Sequence, residues 1–497
     1  MRNPNALRMK SYALYARDHW QISRKLSLTY GLRWEMYPFP DKDNTGINRF
    51  DPADGNVYTG GLGTVPRNTG ADSGNGHFLP RLGIAYRVTD KTVLRAGYGQ
   101  STDPRPFIDF RNAYPVVNAW AMPAISFNGA TNAFIPVTTL RQGLVNTSVA
   151  PDLTAGILKL PSNSGTTTYP RTEMRKYIQS WNFMVERELP WKFTGQVGYV
   201  GTRSVGQMGF ININAAAPGT GNAGRALAKF GLTADINEIL PYQTATYDAM
   251  QASLNRRLSS LLVGVAYTWS KAINYADNDG GPRIQYYPEA IRNRGLASYD
   301  RTNNTQVFGV WDLPLGKGQK WVSSGFASHL LGGFQLSGVM SRTSGAPFYI
   351  VQGSANNLNA PGSAQVPDQI KTDVQTYSGS LKGSVPTGAD ANLYQFFDRS
   401  AFVAVNIPTG QTQRFGNVGR NSLRGPGFFN VDMSLFRTVA FTERLKLQFR
   451  FEALNALNHA NFANPGTDIS SAGGFGFITS TVGQGSRIWR GALRFSF

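Results

Sequence analysis

The chain has no cysteine among its 497 residues and only four histidines. Without cysteine it cannot form disulfides or thiolate metal sites, and it cannot use a cysteine nucleophile. The histidines, His19, His77, His329 and His459, do not have the spacing of metal ligands. No Gly-x-Ser-x-Gly, His-Glu-x-x-His or Gly-x-x-x-x-Gly-Lys-Ser/Thr motif occurs. We therefore expect neither an enzyme nor a cofactor, although paired carboxylates of the glycosidase type would leave no motif.

Charged residues are scarce, and their balance is strongly basic. They make up 16% of the chain, with 49 Lys and Arg against 30 Asp and Glu, for a formal net charge of +19. Nucleic-acid-binding proteins share such a balance, but here no run of five or more basic residues occurs. Arginines that line a hydrated lumen, or that face anionic lipid headgroups, explain the charge more simply. We expect no nucleic-acid partner.

Long hydrophobic runs are also absent. No segment has the 18 consecutive apolar residues that a membrane-spanning helix requires, and the first residues lack the apolar stretch of a signal peptide. Strands of a membrane barrel alternate between apolar and polar residues, so a search for long apolar runs does not detect them. The 54 glycines and 12% aromatic residues favour a large β-architecture. Because a barrel must be exported, we expect Met1 to lie inside a longer protein.

Apolar residues recur at every second position along the whole chain. In the clearest segment, 25–36, one face carries Leu26, Leu28, Tyr30, Leu32, Trp34 and Met36. The C-terminal segment alternates in the same way and ends on Phe497, an ending typical of outer-membrane barrels. A period of two identifies β-strands. Their apolar faces could form a soluble core or face lipid.

About 13 strands are predicted in this way, most of them ten residues or longer. Soluble sheets usually have strands of about 5–6 residues, whereas about 9–11 tilted residues cross a bilayer. The length of the segments therefore favours a membrane barrel. The predicted strands are 10–20, 25–37, 78–88, 91–100, 177–188, 192–203, 243–258, 261–273, 302–313, 331–344, 427–439, 443–457 and 487–497.

The connections between these strands alternate in length. Long segments without predicted structure lie at 38–77, 101–176, 204–242, 274–301, 345–426 and 458–486. Between them fall shorter turns at 21–24, 89–90, 189–191, 259–260, 314–330 and 440–442. Short periplasmic turns and long extracellular loops are the arrangement of bacterial barrels. This assignment places Phe497 in the periplasm and keeps 475–479 in the last long loop.

Eight motifs, taken in their order along the chain, resemble those of a known family. They are YARDHW at 15–20, KLSLTYGLRWE at 25–35, SLNRR at 253–257, YTWSK at 267–271, DLPLGK at 312–317, LGGFQLSG at 331–338, GRNSLRGPG at 419–427 and FEALNALNH at 451–459. Each motif is weak alone, but the ordered set resembles the barrel of TonB-dependent receptors of the Oar-like group, which carry carboxypeptidase-regulatory-like domains.

The resemblance implies an all-β fold, a transmembrane antiparallel β-barrel of 22 strands closed by an N-terminal plug. Residues 1–497 would be the C-terminal portion of that barrel, with about 13 of the strands and without the plug and N-terminal domains. The resemblance also implies a bacterial outer-membrane location and contacts with lipid and lipopolysaccharide. Barrel-assembly machinery would read Phe497, and a TonB-type complex would supply energy through the missing N-terminal region.

The polar faces of the predicted strands carry charged residues that would face the lumen. They are Arg33, Glu35, Arg81, Arg87, Arg95, Glu186, Arg444, Arg450, Glu452, Arg490 and Arg494. Together they predict a hydrated polar wall that guides a solute. For each residue alone, a purely structural role, in which the charges satisfy one another and water, is favoured.

Aromatic residues near the predicted strand ends would form girdles at the two membrane interfaces. They are Trp20, Trp34, Tyr37, Trp181, Trp191, Tyr267, Trp269, Trp311 and Trp489. A soluble core would seldom place so many aromatic residues beside turns. The membrane interpretation is therefore favoured for this set.

Two features of the long loops leave their roles open. Residues 277–281, DNDGG, have the oxygen-rich composition of a calcium loop but lack its later glutamate, so an ordinary turn is favoured. Loop aromatics could contact a ligand or pack the loops together. They are Tyr114, Trp120, Phe127, Tyr286, Tyr287, Phe396 and Phe397.

Three hypotheses follow for the function. The leading one is a receptor-like transporter that binds an unknown solute through its extracellular loops for import. The second is a surface-exposed structural or adhesion protein that does not transport. The third, a soluble carbohydrate-binding β-protein, would require the alternating faces to form a core.

Overall fold

A single antiparallel sheet dominates the computed structural model of the protein. The structure describes residues 7–42, 45–102, 113, 126–128, 133–135, 141, 151–172, 176–258, 260–277, 281–353, 357–374, 376, 394–442, 444–483 and 485–497. Within this part of the chain, thirteen long strands pair in chain order, each with the next. None of the described helices has the length and hydropathy needed to cross a membrane.

The thirteen strands are numbered here in chain order. They are β1 (Tyr12–Gln21), β2 (Leu26–Met36), β3 (His77–Thr89), β4 (Thr92–Ser101), β5 (Tyr177–Leu189), β6 (Phe193–Asn212), β7 (Ile236–Arg257), β8 (Leu261–Asn274), β9 (Asn303–Asp312), β10 (Phe334–Thr343), β11 (Phe428–Ala440), β12 (Lys446–Leu454) and β13 (Ile488–Ser496). The predicted all-β fold, its strand order and most of its strand boundaries are confirmed. The ladder begins at β1 and ends at β13.

Strands β6 and β7 are much longer than predicted, with 20 and 22 residues. Their pairing continues past two register shifts, between Val205 and Gln207 and between Gln207 and Gly209. Gly206 there has a φ of 69°, a conformation that glycine adopts without strain. These irregularities interrupt the alternation of apolar residues, so the sequence pattern did not reveal the continuation of the strands.

The alternation of short and long connections is confirmed. The described residues of the short connections at 22–25, 90–91, 190–192, 258–260 and 441–445, and of the moderate one at 313–333, lie at the periplasmic end of the sheet. The described residues of the long connections at 37–76, 102–176, 213–235, 275–302, 344–427 and 455–487 lie at the extracellular end. We refer to the described parts of these long connections together as the cap.

The buried core of the protein lies in the cap, which corrects the prediction of loops without structure. One cluster combines residues of 275–302, 344–427 and 455–487, among them Ile284, Phe397 and Phe475. A second cluster combines 37–76, 102–176 and 213–235 with the extension of β7. Backbone hydrogen bonds join the two halves, as from Gly219 N to Leu358 O at 2.7 Å.

Short strands and helical turns support this packing. The strands are Leu7–Arg8, Asp41–Lys42, Asn48–Asp51, Asn56–Thr59, Ser126–Asn128, Ala133–Ile135, Ile157–Lys159, Thr166–Thr168, Gly295–Leu296, Pro347–Phe348, Asp368–Gln369, Tyr394–Gln395, Phe402–Val403, Leu423–Arg424 and Phe477–Ile478. The 3-10 turns are Pro190–Lys192, Gly221–Gly224, Ala228–Phe230, Tyr287–Asn293 and Arg399–Ala401, and Phe326–Leu331 is α-helical. Thr166–Thr168 pairs in parallel with the extension of β7.

The register separates two chemically different faces of the sheet. On the apolar face, large side chains stay exposed, for example Leu14 (71%), Leu32 (47%) and Leu493 (71%). Residues between them along each strand form the polar face. A broad exposed apolar surface would be unfavourable in water, and in an outer-membrane barrel it faces lipid. The sequence hypothesis of a soluble core formed by these faces is therefore wrong.

Candidate functional site

The predicted lumen-facing residues lie on the polar face, with one exception. Strand pairing places Gly31 opposite Arg81, Arg81 opposite Gly99 and Ala85 opposite Arg95, so these positions share a face. The others of this set are Arg33, Glu35, Arg87, Glu186, Arg450, Glu452, Arg490 and Arg494. Arg444 differs, because β12 begins at Lys446 and Arg444 lies in the preceding turn.

Part of this charge is neutralised within the polar face. Arg33 pairs with Glu35, which is only 8% exposed and also accepts a hydrogen bond from the Tyr37 hydroxyl at 2.8 Å. Arg95 lies 3.7 Å from Glu186, and Arg450 lies 3.7 Å from Glu452. For these residues the structure favours the structural role, in which opposite charges neutralise each other.

Other cations of the polar face form no ion pair within 4 Å among the described residues, for example Arg17, Arg81, Arg87, Arg490 and Arg494. Arg81 is nevertheless close enough to Glu35 to interact with it electrostatically. Arg17 was missed by the sequence analysis, although it lies opposite Gly31 in β2. The signal was present in β1, where Ala13, Tyr15, Arg17 and His19 share one face. An unpaired guanidinium is available to attract an anion.

Glycines leave the backbone bare between these arginines. Gly83 lies opposite Gly97, and a Cβ atom built on Gly83 would have only Thr29 Cβ within 4 Å, at 3.8 Å. A Cβ on Gly99 would meet only Arg81 Cγ, at 3.9 Å. A cavity of about 590 Å³ lies here, and its lining includes Tyr15, Arg17, Gly31, Arg33, Arg81 and Gly83. The result is a recessed floor with guanidinium groups beside it.

Most of the predicted girdle residues lie near the ends of strands on the apolar face. Trp489 stacks on Phe451 with ring centroids 5.0 Å apart, and the Tyr267 hydroxyl donates to Asn303 Oδ1 at 2.6 Å. The other members with this placement are Trp20, Trp34, Trp181, Trp269 and Trp311. Apolar rings with a polar edge suit an interface between lipid and water.

Three aromatic predictions differ in detail. Trp191 lies in the turn after β5 and is 79% exposed. Tyr37 follows β2, and because its hydroxyl donates to Glu35 it belongs with the polar face rather than the girdle. Phe497 follows β13 and is 94% exposed, and its ring centroid lies 6.3 Å from that of Phe495. Its role as an assembly signal stays a prediction.

Ion pairs connect distant segments of the cap. Arg414 donates two hydrogen bonds to Asp368, at 2.9 and 2.7 Å. This hydrogen bonding holds the pKa of Asp368 below its ordinary value of 3.8. Lys371 donates to Asp398 at 2.6 Å and lowers the pKa of that carboxyl in the same way. Such charge-assisted pairs fix the cap in one arrangement.

The predicted turn at Asp277 is part of this network. Its carboxylate accepts hydrogen bonds from Ser298 N at 2.9 Å and Arg420 Nη2 at 2.7 Å. Burial raises the pKa of Asp277, but the hydrogen bonds and the charge of Arg420 outweigh it, so the pKa lies below 3.8. Residues 278–280 lie outside the described residues. The carboxylate is used to join loops, which favours a structural turn over a calcium ligand.

The loop aromatics divide between packing and exposure. Phe396 and Phe397 are buried, and the Phe397 ring lies 5.3 Å from that of Phe475. Tyr286 packs against the same cluster, whereas Tyr287 is 68% exposed. Tyr114, Trp120 and the Phe127 side chain lie outside the described residues. For Phe396 and Phe397, packing of the loops is the role that the structure shows.

Together, the two-faced sheet and its one-sided cap define an outer-membrane β-barrel protein. The chain belongs to the family described as outer membrane beta barrel domain, whose model matches residues 1–490. This match confirms the predicted outer-membrane β-barrel and its outer-membrane location. No curated protein sequence matches the chain.

Three solved structures are similar to this chain in fold. The outer membrane transporter YddB from Escherichia coli is 8% identical, with a TM-score of 0.47 over 98% of this chain and 45% of its own. The ferripyoverdine receptor of Pseudomonas aeruginosa is 10% identical, with a TM-score of 0.44 over 99% and 39%. The ferric enterobactin receptor PfeA from Pseudomonas aeruginosa is 10% identical, with a TM-score of 0.44 over 98% and 45%. This chain spans less than half of their length.

Proposed function

We propose that the protein is part of a receptor-like transporter that imports a solute across the outer membrane. The observation that carries this proposal is the pair Arg17 and Arg81 beside the open backbone at Gly83 and Gly99. A wall needed only for support would gain more from filled and neutralised positions. Unpaired cations on a recessed polar surface suit the passage of a solute with negative charge or with many hydrogen-bond acceptors.

In this proposal the sheet forms one part of a larger wall. Among the described strands, β1 pairs with β2 and β13 pairs with β12, so one edge of each outer strand has no partner in this part of the chain. Exposed edges of this length are avoided in finished sheets because they recruit other strands. Further strands would close the barrel, and a plug would occupy the lumen. The plug would be moved by a TonB-type complex in the periplasm.

The cap supplies the outer binding surface in this proposal. Its packed core and its ion pairs hold the exposed side chains in place, so a ligand would meet a prearranged surface. The exposed Tyr287 and Ile291 both lie on the 3-10 turn Tyr287–Asn293. This exposed apolar pair also supports the second candidate, a surface protein that binds a partner without transport.

One experiment separates the two candidates. Cells that produce the full-length protein are compared with cells lacking it for binding and uptake of a panel of solutes, with and without an uncoupler of the inner membrane. Import predicts a solute whose accumulation requires the protein and stops with the uncoupler, while binding at the surface persists. Binding of a macromolecular partner without any protein-dependent accumulation would contradict import and favour adhesion.

A further inference from the structure

The turns at the periplasmic end of the sheet carry an excess of positive charge. We call the described residues of the connections at 22–25, 90–91, 190–192, 258–260, 313–333 and 441–445 the periplasmic rim. Its basic residues, all of them exposed, are Arg24, Lys25, Lys91, Lys192, Lys317, Lys320 and Arg444. Asp90 is the one acidic residue among the described residues of the rim. The periplasmic rim is therefore a cationic edge of the sheet.

The opposite end of the sheet is nearly neutral, and many of its charges are paired. Over their whole sequence, the long connections carry 23 Lys and Arg against 19 Asp and Glu. In the cap, ion pairs such as Arg414–Asp368 and Arg420–Asp277 join distant segments. None of the basic residues of the periplasmic rim forms an ion pair with a described residue. The two ends of the sheet thus differ in charge, and the periplasmic end is the basic one.

Two cations of the apolar face at this end already have partners within the protein. Arg437 donates hydrogen bonds to the carbonyl oxygens of His329 and Leu330, at 2.5 and 2.6 Å. The Arg256 guanidinium lies 5.2 Å from the centroid of the Phe193 ring on the neighbouring strand. The rim cations differ, because they lie in turns beyond the strand ends and stay exposed. They are thus placed to meet the periplasm rather than the lipid.

The rim cations are spread in a row rather than gathered in a pocket. Each turn joins two neighbouring strands, so successive turns lie two strand spacings apart, which is about 10 Å. Five of the six connections contribute at least one described basic residue, from Arg24 before β2 to Arg444 before β12. A compact ligand needs groups that converge on one point, and a protein partner needs anchors in one patch. A long row of separate cations fits an extended polymer with repeated negative charges.

We propose that the periplasmic rim binds the peptidoglycan layer through the carboxylates of its stem peptides. The chain belongs to an outer-membrane barrel family, and the short turns of such barrels face the periplasm, where this polymer lies. Peptidoglycan repeats free carboxylates along an extended mesh, which matches a row of lysines and arginines in charge and in extent. Each exposed charge pair contributes little alone, but several contacts to one polymer act together. The inference holds whether the protein imports a solute or binds a partner at the cell surface.

The test measures co-sedimentation of the full-length protein, extracted in a mild detergent, with purified sacculi, which are the intact peptidoglycan layer. We expect wild type to sediment with sacculi at low ionic strength and to be released by salt, because exposed charge pairs are screened. A triple variant that combines Lys91→Gln, Lys192→Gln and Lys320→Gln should bind about tenfold more weakly, since it loses three exposed charge contacts. Sacculi whose carboxylates have been converted to neutral amides should retain little wild-type protein.

The matched control combines Lys10→Gln, Lys159→Gln and Lys229→Gln, which removes the same charge from exposed positions at the extracellular end. It should bind sacculi as wild type does. Each variant is first shown to keep its heat-modifiable gel migration, which reports a folded barrel.

Three results would overturn the proposal. The first is equal weakening in the two triple variants, because that result would reflect net charge alone. The second is wild-type protein that does not sediment with sacculi, or that binds amidated sacculi equally well. The third is release of the protein from sacculi by detergent micelles that contain phosphatidylglycerol at a matched concentration of negative charge, which would assign the rim to lipid headgroups.

Discussion

The carboxylate of Asp277 is joined to the guanidinium of Arg420 by a 2.7 Å hydrogen bond, although 143 residues separate them in sequence. Arg420 also donates to the backbone and side-chain oxygens of Asn274, at 3.1 and 2.6 Å. Asn274 ends β8, so the contact ties the connection 344–427 to the rim of the sheet. The cap is thus attached to the wall by specific polar contacts as well as by its own core.

Breaking the Asp277–Arg420 ion pair should loosen the cap without unfolding the thirteen-stranded sheet. The side chain of Asp277 is 30% exposed and that of Arg420 is 8% exposed, so Asp277→Ala leaves a largely buried guanidinium without its carboxylate partner. We expect the cap to lose about 2 kcal/mol of stability. Limited proteolysis on intact cells should then cut the cap faster, while heat-modifiable migration stays normal. Asp373→Ala, at an exposed cap position, is the control, and equal proteolysis of the two variants would contradict the prediction.

The aromatic cluster should carry most of the stability of this half of the cap. Phe397 has no exposed surface and contacts the rings of Phe348, Phe402 and Phe475. Phe397→Ala should therefore cost about 3–5 kcal/mol through lost burial and a residual cavity. Hydrogen exchange of the cap amides measures the effect. Tyr287→Ala, at a position 68% exposed, should leave exchange unchanged, and a comparable effect in both variants would count against the observed core.

The cap should lose stability in acid in a way that depends on Arg414. The pKa of Asp368 is lowered in the folded state by the hydrogen bond from Arg414. A carboxyl with a depressed folded pKa stabilises the protein above its unfolded pKa, and this stabilisation is lost as the pH falls through the folded value. Cap unfolding followed between pH 5 and pH 2, a range set about the usual aspartate pKa, should therefore shift with pH more strongly in wild type than in Arg414→Gln. Identical pH dependence would refute the linkage.

Two arginines that look equivalent in sequence should behave differently in transport. Arg81 lies on the polar face opposite Gly31 and Gly99, whereas Arg444 lies in a turn at the periplasmic end. If the polar face guides an anionic solute, Arg81→Gln in the full-length protein should lower the uptake rate on the order of tenfold. Arg444→Gln should leave it near wild type. Equal effects of the two substitutions would remove the support for a guiding polar face.

The strands of the thirteen-stranded sheet were predictable because the same alternation of apolar and polar residues holds in each of them. A strand between lipid and a polar surface alternates at each residue, as at Leu26–Met36, and this pattern survives without knowledge of its neighbours. Pairing of consecutive strands then follows from the short turns. Even so, the pattern could not distinguish Arg444 from Arg450, because the end of a strand depends on the geometry of its turn.

The cap was not predictable, because its contacts are formed between segments far apart in sequence. Phe397 and Phe475 stand in short stretches without sustained periodicity, so neither could be assigned to a core before their loops were seen together. The lack of an ion pair at Arg342 was unpredictable for the same reason. The strand that carries Arg342 was predicted, but whether a described carboxylate reaches it depends on where the cap places Asp300 and Arg424.

These 497 residues contain no cysteine, which makes one measurement especially direct. Single substitutions Tyr287→Cys, in the cap, and Lys91→Cys, in a short turn, place a thiol that is unique within these residues at each end of the sheet, and labelling of the unsubstituted full-length protein gives the background. The full-length variants are treated with a membrane-impermeant maleimide on intact cells and again after permeabilisation of the outer membrane. We predict that Tyr287→Cys is labelled on intact cells and that Lys91→Cys is labelled only after permeabilisation. Labelling of both, or of Lys91→Cys alone, on intact cells would contradict a wall that spans the outer membrane with its cap outside.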